Sequence, residues 1–366
     1  LDRFLRDEWP RVMVMSDAQP RETHVLARGA YLSPAEKVAF ATPAFLPPLA
    51  PDAPRDRLGL ARWLFADENP LVARVAANRA WQLFFGEGLV KTPEDFGVQS
   101  EVPVHRELLD DLAVRLREGG WRMKDLHRLI VTSAVYRQSS EATPALRARD
   151  PENRLLARAP RFRMPAMLLR DQALAHAGLL VEKLGGMPVY PYQPADVWEP
   201  LAITKERDFT YPASHGRDLH RRSLYTFWRR TIAPTNMFDT ASRQNCRVRT
   251  ATTASPLHAL TTLNDPTWVE AARTLAERLM HEQLSGDAAA ARAFRMVTGR
   301  AADAEEARIL AAMLARQRAM FPRGEAERFL SVGEVPRDAA LDATEHAALA
   351  AVCLAIFNLD EAMTRG

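Results

Sequence analysis

The clearest hydrophobic pattern along the chain has the spacing of an α-helix. In NPLVARVAANRAWQLFFGEG, residues 69–88, apolar side chains recur at helical intervals on one stripe. Asn69 is a typical N-cap residue, Pro70 suits the first helical position, and Gly86 suits the end of the helix. The stretch therefore predicts one helix, whose largely apolar surface also carries polar residues.

Similar patterns predict helices over much of the remaining chain. Paired glycines are expected to end two of them, at 119–120 and 185–186, and aspartates are expected to cap the last ones. The predicted helices are 55–65, 69–86, 104–120, 123–140, 164–184, 255–263, 265–283, 287–300, 303–321 and 342–363. The sequence thus predicts a mainly α fold, a multi-helix orthogonal bundle with a short β or irregular insert in its middle.

Two regions break this pattern. Residues 1–54 contain strand-like pieces and end in the proline-rich PAFLPPLAPDAP, which predicts an extended segment and linker. Residues 185–255 are rich in Pro, Tyr and Thr and predict loops or strands, which often carry functional residues. The predicted organisation has a helical lobe at 55–184, this insert, and a helical lobe at 256–366 that forms one domain with the first.

The stretch RRSLYTFWRR, residues 221–230, places four arginines around apolar and aromatic side chains. Its residue types favour a strand slightly, but its spacing also suits a helix, and its interior is too apolar for a solvated basic tract. We expect a buried element whose arginines pair with Asp239 and Asp265. Where pairing is incomplete, an anion pocket for a carboxylate or sulfate would consist of Arg222, Arg229 and Arg243.

Composition and charge narrow the function classes. Of the 366 residues, 47% are hydrophobic and 26% are charged, as in a globular protein with a large core. The net charge of +3 is too small for a nucleic-acid binder that relies on a basic surface. No apolar run approaches the roughly 18 residues of a membrane span, and no secretion leader is visible. We therefore predict no nucleic-acid partner and no membrane span.

The cysteines and histidines give weak support for metal or disulfide chemistry. Cys246 and Cys353 lack the close spacing of a thiolate metal site or a haem attachment. We interpret them as unrelated thiols, and one long-range disulfide in an oxidising compartment is the alternative. His215 and His220 flank Asp218, but no HxH or HExxH pattern occurs, and no metal site is predicted.

One polar constellation follows the first long helix. Asn78, Arg79 and Trp81 lie on this helix, and Asp95 lies in the turn after it. A half-buried arginine needs a partner, so an Arg79–Asp95 pair that fixes the turn is the structural interpretation. In the functional interpretation, the same residues form the polar wall of a ligand pocket.

A second constellation combines residues at predicted helix ends. His105 stands at the start of one helix, and Tyr136 and Arg137 stand at the end of another. His and Tyr side chains can transfer protons, so the candidate catalytic residues are His105, Tyr136 and Asp95. No GxSxG nucleophile motif accompanies them, and a histidine at a helix start more often has a capping or packing role.

The loop GGMPVYPYQPADVW, residues 185–198, carries three aromatic residues on a proline-stiffened backbone: Tyr190, Tyr192 and Trp198. Rigid exposed rings of this kind can stack against sugars. The alternatives are a lid that covers the helical core and a contact with a protein partner.

Several motifs resemble one known family. They are NPLVARVAANRAWQLFFGEGLVKTPEDFGVQ, GWRMKDLHRLIVTSAVYRQSS, DPENRLLAR, RRSLYTFWRR, LNDPTWVEAARTLAERL and FNLDEAM, in this order over nearly the whole chain. The chain is similar to the C-terminal domain of unknown function in planctomycete-type proteins that begin with a cytochrome c-like domain. It departs from the family pattern at Val104 and Arg106, and also at His220 and His258, where the family usually has Tyr and Gln.

The resemblance implies an exported protein of the periplasm or cell envelope, in bacteria that degrade complex polysaccharides. It implies haem c only in an upstream cytochrome c-like domain, and we expect no cofactor in this chain. No catalytic residue is carried over. The expected function is to bind or process complex or anionic polysaccharide beside that cytochrome domain, with a glycan or an anionic small molecule as ligand. The alternative is a non-catalytic structural or protein-interaction module of a large envelope protein, and whether the domain is an enzyme stays open.

Overall fold

The computed structural model describes residues 13–17, 21–194, 211–228, 233–234, 236–239, 248, 252–284 and 286–366. These residues are mostly helical and their strands are short, so the predicted mainly α fold is confirmed. The chain divides into two compact units. The first comprises residues 1–81 and 105–129, and the second comprises residues 82–104 and 130–366.

The elements follow the predicted helical pattern closely. The helices are α1 (Arg57–Leu64), α2 (Leu71–Phe85), α3 (Arg106–Glu118), α4 (Met123–Thr132), α5 (Ala134–Arg137), α6 (Pro144–Arg149), α7 (Ala166–Ala177), α8 (Pro256–Asn264), α9 (Pro266–His281), α10 (Gly286–Thr298), α11 (Ala304–Met320), α12 (Arg323–Leu330), α13 (Ala343–Phe357) and α14 (Asp360–Met363). The strands are β1 (Thr23–Leu26), β2 (Pro34–Val38), β3 (Phe162–Arg163) and β4 (Thr364–Arg365), and they pair antiparallel as β1–β2 and β3–β4.

The first unit contains the hairpin β1–β2 and the amphipathic helices α1 and α3. Helix α1 begins where the Asp56 carboxylate accepts the N–H of Gly59 at 2.9 Å. Helix α3 buries Leu109, Leu112 and Leu116 on one stripe, at the i, i+3 and i+7 spacing of a core-facing helix.

The core of the second unit forms around α9 and α13. Helix α9 buries Trp268, Leu275 and Leu279, and α7, α10 and α11 pack around the pair. The facing surfaces are mostly alanine and leucine, which allows close helix packing. Cys353 on α13 is a buried free thiol whose pKa is raised to about 12 by burial, so it stays protonated and unreactive near neutral pH.

Two predicted helices are shorter than expected. The helix predicted over 164–184 ends at Ala177, because Gly178 adopts a left-handed φ of +76° and closes α7. The stretch 123–140 forms two helices instead of one. The Ser133 hydroxyl accepts the N–H of Tyr136 at 3.3 Å and thereby starts the separate helix α5.

The stretch RRSLYTFWRR is neither a strand nor an α-helix in its described part, residues 221–228. Ser223–Tyr225 form a short 3-10 turn, and Arg221 and Thr226 each make one isolated bridge to the segment around residues 181–189. The N–H of Ser223 donates to the Asp171 carboxylate at 2.7 Å, so this N–H is not available to a neighbouring strand. Residues 229–230 lie outside the described residues.

In the described ranges, none of the helices combines the length and the apolar character that crossing a membrane requires.

Candidate functional site: the polar layer of helix α9

A dense polar cluster of the second unit surrounds Glu270 on α9, whose side chain is fully buried. One carboxylate oxygen accepts the N–H groups of Glu334 and Val335, both at 2.7 Å. The other accepts His220 Nε2 at 2.9 Å and the Tyr192 hydroxyl at 3.2 Å. Glu270 therefore has four donors, enough to compensate a buried carboxylate for the water it has lost.

The loop after α12 is shaped around this carboxylate. At Gly333, φ is +89°, and a Cβ atom there would lie 2.4 Å from the Glu270 carboxyl carbon, so only glycine fits. Arg273, one turn along α9, donates to the carbonyl oxygens of Val332 at 2.7 Å and Val335 at 2.5 Å. The buried side chains of Glu270 and Arg273 therefore both bind the main chain of the loop 332–335.

The surroundings keep Glu270 ionised. Burial raises the pKa of Glu270, but the hydrogen bonds from His220 and the Val335 N–H outweigh this, so the pKa lies below its ordinary value. Burial and the nearby carboxylate raise the pKa of Tyr192, so its hydroxyl stays protonated and donates. A carboxylate with four donors and a low pKa is a poor proton acceptor, so Glu270 lacks the properties of a general base.

A second histidine–carboxylate contact lies beside the first. The Glu334 carboxylate binds His215 Nδ1 at 2.6 Å and the Gly216 N–H at 2.8 Å, at the exposed end of the 3-10 turn Gly216–His220. His220 at the other end of this turn binds Glu270. The turn is thus held at both ends by carboxylates.

Glu270, Arg273 and His220, together with Arg170 on α7, form what we call the polar layer. The Arg170 guanidinium is fully buried and donates to the carbonyl oxygens of Leu219 at 2.7 Å and Arg221 at 3.0 Å, and to the Ser223 hydroxyl at 3.2 Å. Burial lowers the pKa of Arg170, and the Asp171 and Asp265 carboxylates oppose this effect. Arg170 therefore fixes the irregular segment 219–223 on the helical core.

Asp265, the N-cap of α9, lies in a less complete cluster. Burial raises its pKa, although the hydroxyl and the N–H of Thr267, the charge of Arg170 and the nearby Asn236 amide oppose the shift. Its side chain accepts the Thr267 N–H at 2.9 Å. Within the described residues, the buried amide of Asn236 approaches Asp265 without reaching hydrogen-bond geometry, and the Thr267 hydroxyl and Arg170 Nε also have no hydrogen-bond partner. Buried polar atoms of this kind usually bind an ordered water or a ligand atom.

The predicted aromatic platform is partly folded into this layer. Tyr190 is half-buried and packs on Phe227 with ring centres 4.8 Å apart and on the edge of Tyr211 at 5.5 Å. Tyr192 is half-buried and bound to Glu270. These two rings therefore cover the core, as the lid interpretation expects, and Trp198 lies outside the described residues.

Arg221 and Arg222, the first two residues of RRSLYTFWRR, have different roles. Arg221 is buried, lies 4.0 Å above the Tyr225 ring, and donates to three carbonyl oxygens, those of Lys183 (3.0 Å), Gly185 (2.6 Å) and Met187 (3.0 Å). Its partners are main-chain groups, where the sequence predicted acids. The neighbouring Arg222 has a 43% exposed side chain, and its Nε lies 4.0 Å from the Asp171 carboxylate.

The two predicted acidic partners also bind other groups. Asp239 accepts the Thr253 N–H at 2.6 Å and lies 3.8 Å from His258 Nε2, while Asp265 lies beside Arg170. Arg229 and Arg243 lie outside the described residues, so the predicted anion pocket stays a prediction.

The remaining candidates of the first unit divide by burial. Asn78 and Trp81 are buried in α2. Arg79 is exposed on the same helix, so it needs no buried acidic partner, contrary to the expectation of a half-buried arginine. His105 is half-buried at the N-cap position of α3, where its side chain makes no capping hydrogen bond.

In the second unit, Asp95 closes a turn by accepting the Gly97 N–H at 2.6 Å. The Tyr136 ring lies under the Arg365 guanidinium, 3.7 Å away, and contacts the edges of Phe84 and Phe85. Its neighbour Arg137 is exposed. Tyr136 thus anchors the C-terminal end of the chain.

Sequence reasoning missed the centre of the polar layer. The helical pattern predicts Arg170, Glu270 and Arg273 only as parts of amphipathic helices, and it assigns His220 no partner. The signal was present, because a charged residue inside an apolar helical stripe is almost always paired when buried. The described residues contain no group of three or more His, Cys, Asp or Glu side chains placed to hold a metal ion.

Fold and site together define a mainly α protein with a polar layer of buried charged side chains that bind mostly main-chain groups. Residues 56–314 match PSD1, a protein family of unknown function (DUF1553). Since the match covers more than half of the chain, the chain belongs to the PSD1 family. The chain matches no curated protein and no solved structure.

Proposed function

We propose that this chain is a non-catalytic interaction module of a larger protein. One observation carries the proposal: the constellation that most resembles an active site, Glu270 with His220 and Tyr192, is saturated by internal hydrogen bonds, two of them from main-chain N–H groups. A carboxylate that acts as a general base or a nucleophile instead keeps an oxygen free for the substrate or its proton. In this protein the three side chains hold irregular segments on the helical core.

Stability measurements test this proposal. Active-site residues commonly trade stability for activity, so replacing one costs little or even stabilises the protein. A structural carboxylate gives the opposite result, and Glu270→Gln is expected to lower the free energy of unfolding substantially. An unchanged or raised stability of Glu270→Gln contradicts the proposal. So does any release of reducing ends from sulfated or carboxylated oligosaccharides that wild type catalyses and Glu270→Gln does not.

A second candidate function is the binding of anionic polysaccharide through Arg222. Its guanidinium is half-exposed, with one long contact to Asp171, and it stands on a backbone that Arg221 and Arg170 fix. A fixed guanidinium suits the paired oxygens of a sulfate or carboxylate. Calorimetric titration with sulfated and carboxylated oligosaccharides tests this, and Arg222→Ala is expected to abolish the heat of binding. Arg217→Ala is the matched control, because Arg217 is exposed on the preceding turn; equal losses in both variants would leave only non-specific charge attraction.

The cellular setting that we propose is the periplasm or cell envelope, beside a c-type cytochrome domain of the same protein. The motif resemblance described above supports it. Fractionation of the native cells with an antibody to this chain, followed by haem staining of the same band, tests both parts. A cytosolic band contradicts the location, and a band without haem contradicts the cytochrome neighbour.

A further inference from the structure

His346 on helix α13 is a titratable side chain that lies wholly inside the second unit, with 0% of its surface exposed. Its Nε2 lies 2.8 Å from the Arg273 carbonyl oxygen. A carbonyl oxygen only accepts hydrogen bonds, so Nε2 carries the hydrogen of the neutral ring. Among the described residues, Nδ1 of this ring has no hydrogen-bond partner. A second proton would therefore enter at Nδ1, in the core, where no acceptor compensates it.

Charged groups from two neighbouring elements act on this ring. Helix α9 supplies Arg273 and, one turn later, Glu277, and the loop 331–342 that precedes α13 supplies Arg337. The two guanidinium groups repel a positive charge on His346, whereas Glu277 attracts it. Burial and the two guanidinium groups outweigh Glu277 and the bond to the Arg273 carbonyl oxygen, so the pKa of His346 lies below its ordinary value of 6.5.

The acidic groups at the start of α13 are already bound. The N-cap Asp342 accepts the Glu345 N–H at 2.8 Å, and the Glu345 carboxylate accepts Nε of Arg318 on α11 at 2.5 Å. Helix α12 packs against the same turns of α13 through Ala326 and Leu330. These groups therefore offer a protonated imidazole no free carboxylate.

Arg273 connects His346 to the loop 331–342. Its carbonyl oxygen binds the imidazole, and its guanidinium donates to the carbonyl oxygens of Val332 at 2.7 Å and Val335 at 2.5 Å. Arg337 belongs to the loop itself. A positive charge on His346 therefore repels both the guanidinium that fixes the loop and a guanidinium within the loop.

We propose that His346 makes the loop 331–342 an acid-sensitive switch: the neutral imidazole leaves the loop closed on α9, and proton uptake opens it. Opening also displaces Glu334, whose carboxylate binds His215 and the Gly216 N–H. Mild acid thereby loosens the irregular segment that begins at residue 215. The inference concerns a conformational change of the fold and does not depend on the interaction-module function.

The pH range of the switch follows from the direction of the pKa shift. Because the folded-state pKa of His346 lies below 6.5, the open form binds the proton more tightly, and the closed loop loses stability as pH falls below 6.5. Glu270 stays ionised in mild acid, since its pKa lies below 4.5. Opening between neutral pH and about pH 5 is therefore not caused by the loss of the Glu270 charge.

Hydrogen–deuterium exchange at about pH 7.5 and about pH 5, read by mass spectrometry, tests the switch. After correction for intrinsic rates, exchange in the loop 331–342 of wild type should rise about tenfold, with an upper limit of about thirtyfold set by the ordinary pKa of 6.5. His346→Gln should abolish this rise. Glutamine can donate to the Arg273 carbonyl oxygen but cannot take up a proton.

The matched control is His176→Gln. His176 is a half-buried histidine on α7 whose pKa is also lowered, by burial and by the charge of Arg278, and its ring stacks on Phe357 with centres 6.4 Å apart. This variant removes a second acid-sensitive group without touching Arg273. It should therefore show the same rise in loop exchange as wild type.

An NMR titration of wild type with ¹³C-labelled histidine keeps the inference testable if His346→Gln folds poorly, because the His346 ring should titrate below pH 6.5. Titration at or above this value overturns the inference. So does an acid-induced rise that persists in His346→Gln, that His176→Gln abolishes, or that spreads evenly over all helices as in global unfolding. None of these results changes the outcome of the Glu270→Gln stability test at neutral pH.

Discussion

The two polar clusters on helix α9 differ in how fully their hydrogen bonds are satisfied. Glu270 has four donors to its two carboxylate oxygens. One turn earlier, the cluster around Asp265 contains a buried Asn236 amide and a Thr267 hydroxyl with no partner among the described residues. Glu270 is fully buried and Asp265 is half-buried, so the two clusters differ in burial as well as in partners.

This comparison separates a cluster whose hydrogen bonds are complete from a cluster in which some polar atoms have no partner. A saturated buried charge stabilises the fold only while all its partners remain, and removing one leaves the others unpaired. An unsatisfied buried amide already carries that cost, unless a water or a ligand atom relieves it. Substitutions in the two clusters should therefore have effects of very different size.

The largest effect is expected for Glu270. Glu270→Ala should lower the free energy of unfolding by about 3–5 kcal/mol, because it leaves the buried His220, the Tyr192 hydroxyl and the Val335 N–H without their acceptor. Chemical denaturation measures this change. Glu305→Ala is the control, since the Glu305–Arg308 pair is solvent-exposed and should contribute little to stability. Similar losses in the two variants would show that Glu270 is not the centre of the layer.

Gly333→Ala should follow in size, with a loss of about 2 kcal/mol or more from left-handed backbone strain and overlap with Glu270. Gly299→Ala is the matched control. Gly299 has a φ of +83° and open space around its Cβ position, so it carries only the backbone strain of about 1 kcal/mol. Thermal unfolding of both variants measures the difference, and equal shifts would remove the evidence for a close fit around Glu270.

The two carboxylates should respond to acid in opposite directions. Glu270 has a lowered pKa, so its contribution is complete above its ordinary pKa of 4.5 and is lost as pH falls through the folded value. Asp265 has a raised pKa, so its burial cost is present above the folded value and is relieved as pH falls toward 3.8. Denaturation from neutral pH down to about pH 3 should show a stability difference between wild type and Glu270→Gln that shrinks with acid.

The raised pKa of Asp265 is tested with Asp265→Asn, which retains an N-cap side chain. Any advantage of this variant over wild type should also shrink as the medium becomes acidic, because wild-type Asp265 is then neutral as well. A difference that grows with acid in either variant contradicts the assigned shift.

The smallest effect is expected for Asn236. Asn236→Leu removes two unpartnered polar atoms at similar volume, so stability should stay within about 1 kcal/mol of wild type or rise. Thr267→Val applies the same test to the neighbouring hydroxyl. A loss of about 2 kcal/mol or more in either variant would mean that a water or ligand atom satisfies the cluster, and the contrast with Glu270 would then disappear.

Local sequence rules predicted most of the helices correctly. Asn69 binds the Leu71 N–H at 3.1 Å, and Asp303 and Asp342 cap α11 and α13 as expected. Such signals need only neighbouring residues. Helix α7 ends earlier than the Gly185–Gly186 pair predicts, because Gly178 closes it. Helix α12 is not predicted by the pattern, because it spans only eight residues and most of them are polar.

The polar layer was harder to predict, because its partners are far apart in sequence or belong to the main chain. Arg170 binds carbonyl oxygens about fifty residues away, and no residue type marks a carbonyl as a partner. The acids chosen for Arg221 and Arg222 were plausible by charge alone. The predicted domain boundaries and the set formed by His105, Tyr136 and Asp95 remain predictions.

The Arg221 contacts have a consequence for sequence variation in residues 182–188. Because the guanidinium binds carbonyl oxygens, which every amino acid supplies, this exposed loop keeps its course whatever side chains it carries. The glycines at 185 and 186 are the exception, since both have positive φ. Substitutions at the other positions leave in place the three carbonyl oxygens that Arg221 binds.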